Sequence, residues 1–163
     1  MAIRRIVKIG DDKLRKHAKT VEKFDCRLKL LLGDMADTMY KAEGMGLAAP
    51  QVGILRRAVV IDVGDGLIEL VNPQIVSTDG EQSGSEGCLS VPGRQGLVIR
   101  PNVVTVRAQD RNGDEIELTG EGFLARAICH ELDHLDGVLY VDKMEREIFP
   151  EEDEEDEGDE ENQ

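Results

Sequence analysis

Between Asp25 and Gly44 apolar side chains recur at helical spacing: Leu28, Leu31, Leu32, Met35 and Met39. Asp25 is placed to cap the start and Gly44 to end the pattern, which predicts a helix over that span. Gly33 inside it costs about 1 kcal/mol relative to Ala. A shorter capped helix is expected near the N-terminus, from Asp11 to Ala18. The pattern then turns to β-branched runs, Ala58–Asp62 and Leu67–Val76, separated by Gly64-Asp65-Gly66. Further on, Val103–Asp110 and Glu115–Thr119 flank Arg111-Asn112-Gly113-Asp114. Asn-Gly readily takes the positive φ angles of a tight hairpin turn, so an antiparallel pair is expected there. A third helix should run from about Glu121 to Leu135 and stop at Gly137. Phe123, Ala127, His130 and His134 fall near one of its faces, and Leu124, Ile128, Leu132 and Leu135 near another. One long helix among antiparallel strands, without alternating β-α-β units, indicates an α+β fold: antiparallel β-sheets around a central helix in a single domain.

Charge divides the chain. The net charge is −14, but residues 145–163 carry −11 of it and leave −3 for residues 1–144. The expected organisation is therefore a folded domain over 1–144 and an acidic tail over 145–163. The run from Glu151 to Glu161 has adjacent like charges and nothing apolar to bury, so disorder is expected there. Aromatic residues are only 3% of the chain, with no Trp, which argues against base-stacking surfaces and aromatic cages. No apolar run approaches the roughly 20 residues that cross a bilayer, and the first residues lack the apolar core of a secretory signal. Cys26, Cys88 and Cys129 are odd in number and widely spaced. That suits a cytoplasmic chain with one useful thiolate better than a disulfide framework.

The chemistry centres on His130-Glu131-Leu132-Asp133-His134. Two His four apart on a helix project from the same side and can grip one ion, and Glu131 can take a proton from a water bound there. The third ligand has several candidates. Where one class of such hydrolases places a third His, this chain has Tyr140; a downstream Glu could come only from the acidic tail. Cys88, in a Gly-bounded loop within Glu86-Gly87-Cys88-Leu89-Ser90, is preferred. Cys129 adjoins His130 but points about 100° away round the helix, and it is read with Cys26 as a core residue. Gly44-Met45-Gly46-Leu47-Ala48-Ala49-Pro50-Gln51 leaves backbone bare, which suits either a helix cap with a tight turn or pairing with an extended peptide. Gln51 could donate to a developing oxyanion.

Together the segments Gly44–Gln51, Glu86–Ser90 and His130–His134 resemble the three signature motifs of the peptide deformylases, and the similarity runs from Leu14 to about Met144. The resemblance implies an enzyme that removes the N-formyl group from the N-terminal formylmethionine of nascent polypeptides. It implies Fe2+ as the ion, with Zn2+, Ni2+ or Co2+ as substitutes. Cys88, His130 and His134 become the ligands, Glu131 the acid and base, and Gln51 with the Leu89 backbone N–H the oxyanion donors. Gly44, Met45, Gly87, Phe123 and Ala127 would meet the substrate beside His130, with Gly46 pairing to its backbone. Many members have an Arg near the substrate shortly after the second motif, where this chain has Arg94-Gln95. Some bacterial members touch the ribosome through a basic C-terminal helix, whereas this chain ends in acid. No membrane and no sequence-specific nucleic acid is expected among its partners.

Two other functions fit parts of the pattern. One is an endopeptidase that takes a tail Glu as its third ligand. The other is a structural metal site in a binding protein, which normally closes with four protein ligands. Only three convincing ones are present here, which leaves a position for water and favours the enzyme.

Overall fold

Side-chain capping starts the first long helix. Asp25 accepts the amide hydrogens of Arg27 and Leu28, and α1 (Cys26–Lys41) follows. The computed structural model describes residues 2–149; the expected disorder of the Glu151–Glu161 run lies outside them. Leu28, Leu31, Leu32, Met35 and Met39 are all buried, as their spacing predicts. The Asp11–Ala18 segment shortens to a 3-10 turn, Asp12–Arg15; Leu14 and Ala18 are its buried residues, four apart, and the exposed polar residues between them give a longer helix no further apolar face to bury. Cys26 is exposed at the start of α1, not in the core, since it precedes the first buried position of the helix.

Eight strands make two antiparallel sheets. Five of them, in the order β1-β2-β3-β6-β7, are Gly46–Ala48, Ala58–Ile61, Ile68–Asp79, Val103–Gln109 and Glu115–Glu121. The other sheet, β4-β5-β8, is built from Gln82–Cys88, Val91–Arg100 and Arg146–Ile148. A second helix, α2 (Phe123–Leu135), packs on one face of the larger sheet, while α1 packs on the other. The residues of β2 record this. Val59 and Ile61 join the cluster under α2, with Leu70, Val104, Val106, Ile128, Leu132 and Leu135. Ala58 and Val60 join the cluster under α1. A strand covered on both faces has no polar side, which is why 58–61 reads as an unbroken apolar run.

Several expectations shift. Cys88 does not sit in a loop: it ends strand β4, whose Gly- and Ser-rich residues pair with β5 up to a register shift between Glu86 and Cys88. The bare residues of β4 hide the strand pattern yet admit neighbours that a Cβ would exclude. The β6–β7 hairpin forms as expected, but its turn is wider than a two-residue Asn-Gly turn. Gly113 has positive φ and Asn112 does not, and the Asp110 side chain accepts from the amides of Asn112 and Asp114. Past Met144 the chain adds β8, whose Arg146, Glu147 and Ile148 pair with Leu97, Gly96 and Gln95 of β5. No helix among the described residues is long and apolar enough to cross a membrane.

Candidate metal centre

The second sheet brings Cys88 to α2. The Sγ of Cys88 and one nitrogen each of His130 and His134 all lie within 4.8 Å of one another. His134 Nε2 stands 3.3 Å from Cys88 Sγ, and the two imidazoles meet edge to face at 5.0 Å. The helical spacing of four therefore does what the sequence suggests, and β4 supplies the third donor. Cys129 is buried on the far side, in the core between α2 and the larger sheet. Tyr140, in the position of a third His, instead stacks its ring on His130 at 6.1 Å.

Electrostatics around the three donors suit an ion. Burial, with the charges of His130 and Arg100, holds His134 well below the ordinary histidine range, so its imidazole is neutral and can offer a lone pair. Burial also opposes charge on His130, yet hydrogen bonds to Cys88 and Glu86 and the charge of Glu131 raise it to about 10. A proton there supplies the positive charge that the acidic groups around it demand. Cys88, His130 and His134 would place a divalent ion where it supplies positive charge in that proton's stead. One thiol and two imidazoles form a donor set that fits such an ion, with a side left open for water.

Glu131 is 2% exposed. Burial raises its carboxyl to about 7; Glu86 and Asp133 push the same way, while His130 and Arg100 oppose. It abuts β1 so closely that a Cβ on Gly46 would stand 2.8 Å from its Oε2. Gly46 is bare for a reason that a substrate-pairing role alone does not give. Gln51 is fixed at both ends of its amide. Oε1 accepts from Ala48 N at 3.0 Å, and Nε2 lies 3.1 Å from Ser90 Oγ and 3.5 Å from Cys88 Sγ. The Leu89 carbonyl is held by Lys8 Nζ at 3.1 Å, and its side chain packs over Gly44.

A cleft of about 390 Å³ opens beside these groups. Gly44, Met45, Gly46, Gly87, Phe123 and Ala127, the six residues expected to meet substrate, all line it, as do Gln51, Cys88, Leu89, His130 and Glu131. Met45 and Phe123 are each 49% exposed at its rim. Of the pair Arg94-Gln95, Gln95 lines the cleft, whereas Arg94 is ion-paired to Glu147 of β8 at 2.6 Å.

The residues that sequence reasoning missed stand behind the donors. His130 Nδ1 lies 2.8 Å from Glu86 Oε1. Burial disfavours the Glu86 charge, but Arg100 and His130 hold its carboxyl down at about 2, so it only accepts and Nδ1 carries the hydrogen. Arg100 grips both Glu86 oxygens at 2.8 Å and reaches Asp133 at 2.7 Å. Arg126 completes the group. The available signal was an Arg set between Ala125 and Ala127 in the otherwise apolar first half of α2, Phe123–Cys129, one turn before His130.

The polypeptide deformylase family matches residues 3–148, almost the whole described chain. The chain belongs to the peptide deformylase family. The peptide deformylase of Caldicellulosiruptor bescii is 60% identical over 152 residues, 93% of this chain and 92% of that relative. That of Caldanaerobacter subterraneus is also 60% identical over 152 residues, covering 93% and 96%. Among solved structures, the Legionella pneumophila deformylase superposes with a TM-score of 0.85 at 52% identity, over 88% of this chain and 86% of that one. The Synechococcus elongatus deformylase, in complex with actinonin, gives 0.84 at 45% identity over 86% and 78%. As a deformylase the protein is a metal-dependent hydrolase that removes the N-formyl group from nascent peptides. Its fold, two helices with antiparallel sheets, is that of deformylases of known structure.

Proposed function

We propose that Cys88, His130 and His134 hold the catalytic ion, physiologically Fe2+, and that Glu131 moves the protons of formyl hydrolysis. The observation that carries this reading is the buried Glu131 carboxyl, raised to about 7, beside three donor atoms within 4.8 Å of one another. When bound, the ion acidifies a water and polarises the formyl oxygen. Gln51 Nε2 and the Leu89 N–H stabilise that oxygen as it gains charge. Glu131 takes the proton of the attacking water and delivers it to the departing nitrogen, so formate and a free N-terminal amine result. Gly46 aligns the substrate backbone, Met45, Gly87, Phe123 and Ala127 receive the methionine side chain beside His130, and Gly44 also meets the substrate.

A Cys ligand brings the ion's net charge from +2 to +1 and makes it a milder Lewis acid than three neutral ligands would. That suits a small, unhindered formyl carbonyl better than an internal peptide bond. The protein acts in the cytoplasm on N-formylmethionyl nascent chains, with residues 1–144 and the added strand β8 as the catalytic unit. The test is formate release from a formyl-Met peptide by protein loaded anaerobically with Fe2+, beside metal content of Cys88→Ala. Turnover by the parent with loss of metal in the variant is expected; full occupancy in Cys88→Ala would overturn the ligand set.

A further inference from the structure

The three donors of the metal centre come from two separately packed bodies. The apolar face of α2, with Ala125, Ile128, Leu132 and Leu135, is buried against the five-stranded sheet. Cys88 belongs instead with Val91, Val98, Leu139 and Tyr140, the small apolar cluster of the three-stranded sheet. Apolar packing therefore fixes the two His to one sheet and the Cys to the other. Such packing is non-directional and sets no separation between the bodies to a fraction of an ångström.

Directional bonds do cross the gap: Arg100 of β5 donates to Asp133 of α2 at 2.7 Å, His130 Nδ1 bonds to Glu86 of β4, and Arg126 of α2 makes three more. It lies on α2 one turn before His130 and is 4% exposed. Its Nη1 donates to Glu86 Oε2 at 2.6 Å, to the Val98 carbonyl at 3.0 Å and to the Gly84 carbonyl at 3.4 Å. All three acceptors belong to β4 or β5. Its guanidinium lies against Gly84, where a Cβ would stand 3.1 Å from Nη2 and 3.3 Å from Cζ. Glu86 is two residues before Cys88 on β4 and also takes the His130 Nδ1 hydrogen. One side chain of α2 thus grips the strand that carries the thiol and the carboxylate that orients the imidazole.

We infer that Arg126, seated on the bare Gly84, is a positioning residue that sets the separation of Cys88 from His130 and His134 and thereby the affinity for the ion. The inference rests on the reading of those three residues as ligands. Removing an outer partner of a metal-ligating His typically weakens metal binding 10–100-fold. Arg126 holds a ligand strand as well as a ligand's partner. All three bonds come from Nη1, so a Lys ammonium keeps the charge and can offer hydrogens to the same acceptors, but it lacks the guanidinium plane that lies against Gly84.

The test is Co2+ affinity of the full chain by chelator competition, together with the thiolate-to-Co2+ charge-transfer band, well below each variant's unfolding temperature. Arg126→Met should weaken Co2+ binding by about 10–100-fold and shift or diminish the band, with Arg126→Lys recovering part of both. Gly84→Ala leaves every hydrogen-bonding group present and displaces the guanidinium by a few tenths of an ångström; it should weaken binding in the same direction. It also decides the matter if Arg126→Met fails to fold. Should Arg126→Met or Gly84→Ala lower only the unfolding temperature, with Co2+ affinity and band as in the parent, Arg126 is a stability residue and the inference is overturned. Cys88→Ser separates the two levels: parental affinity in that variant would overturn the ligand set itself, and the inference with it.

Discussion

Glu131 and Gln51 are each held by local structure in the state that the proposed chemistry requires. Glu131 is buried on α2 against Gly46, and burial keeps its carboxyl near neutrality, where it can both take and return a proton. Glu131→Gln preserves shape and volume but removes the base. Metal content should be unchanged while turnover of a formyl-Met peptide falls by about 10²–10⁴; parental turnover would remove Glu131 from the mechanism. Gln51 cannot flip its amide freely, because Ala48 N–H occupies Oε1 and so directs Nε2 toward Cys88. Deleting that donor in Gln51→Ala should cost roughly 2.7–4 kcal/mol in the chemical step, visible in kcat. A raised KM with parental kcat would make Gln51 a binding residue only.

At the scale of elements, the placement of α2 depends on how it stops. Gly137 follows the helix with φ +76, and a Cβ there would stand 2.5 Å from the Arg15 carbonyl oxygen. Both the left-handed backbone and the contact exclude a side chain. The chain can then turn back so that the Ala18 amide bonds to the Leu135 carbonyl at 2.8 Å. Gly137→Ala should lower unfolding stability by more than about 1 kcal/mol, read from urea midpoints at constant m. The folded fraction should still bind metal, because the two His precede the altered turn. Unchanged stability would mean that Gly137 is not required where it stands.

For the molecule as a whole, the N-terminal segment ties α1 to the site. Ala2 N and Arg4 bond to Asp34, Val7 N to Gln51 O, and Ile9 N to Ser90 O. Asp34 is buried with its carboxyl lowered, chiefly by the Ala2 amide, against burial and with the help of Arg4. Its folded pKa lies below the unfolded value of about 3.9, so its stabilisation is present in full above that value. It is lost as pH falls through the folded pKa. Asp34→Asn should therefore destabilise the protein at pH 7, and the difference from the parent should shrink as pH falls from about 5 toward 2. A difference independent of pH would show that the charge of Asp34 contributes nothing.

The two long helices, the hairpin and the pairing of His130 with His134 on one helix face were legible along the chain, whereas the expected N-terminal helix came out as a 3-10 turn. Spacing four apart on a helix leaves His130 and His134 little choice of side, and the apolar faces of α1 and α2 follow from periodicity alone. The sequence was misleading over Gly80–Gly87, because Gly and Ser carry no pattern that separates a strand from a loop, and it gave no warning of β5 or β8. Cys88 as third ligand was reached by elimination and resemblance, since residues 42 positions apart have no periodicity to connect them. What stands behind the three proposed ligands follows from the packing of distant segments. Glu86, Arg100 and Arg126 come from two strands and a helix, and their worth lies in the charge each finds buried opposite it. A buried ion pair is set by three-dimensional proximity in a low-dielectric interior, and no local pattern along the chain encodes which cation will meet which carboxylate.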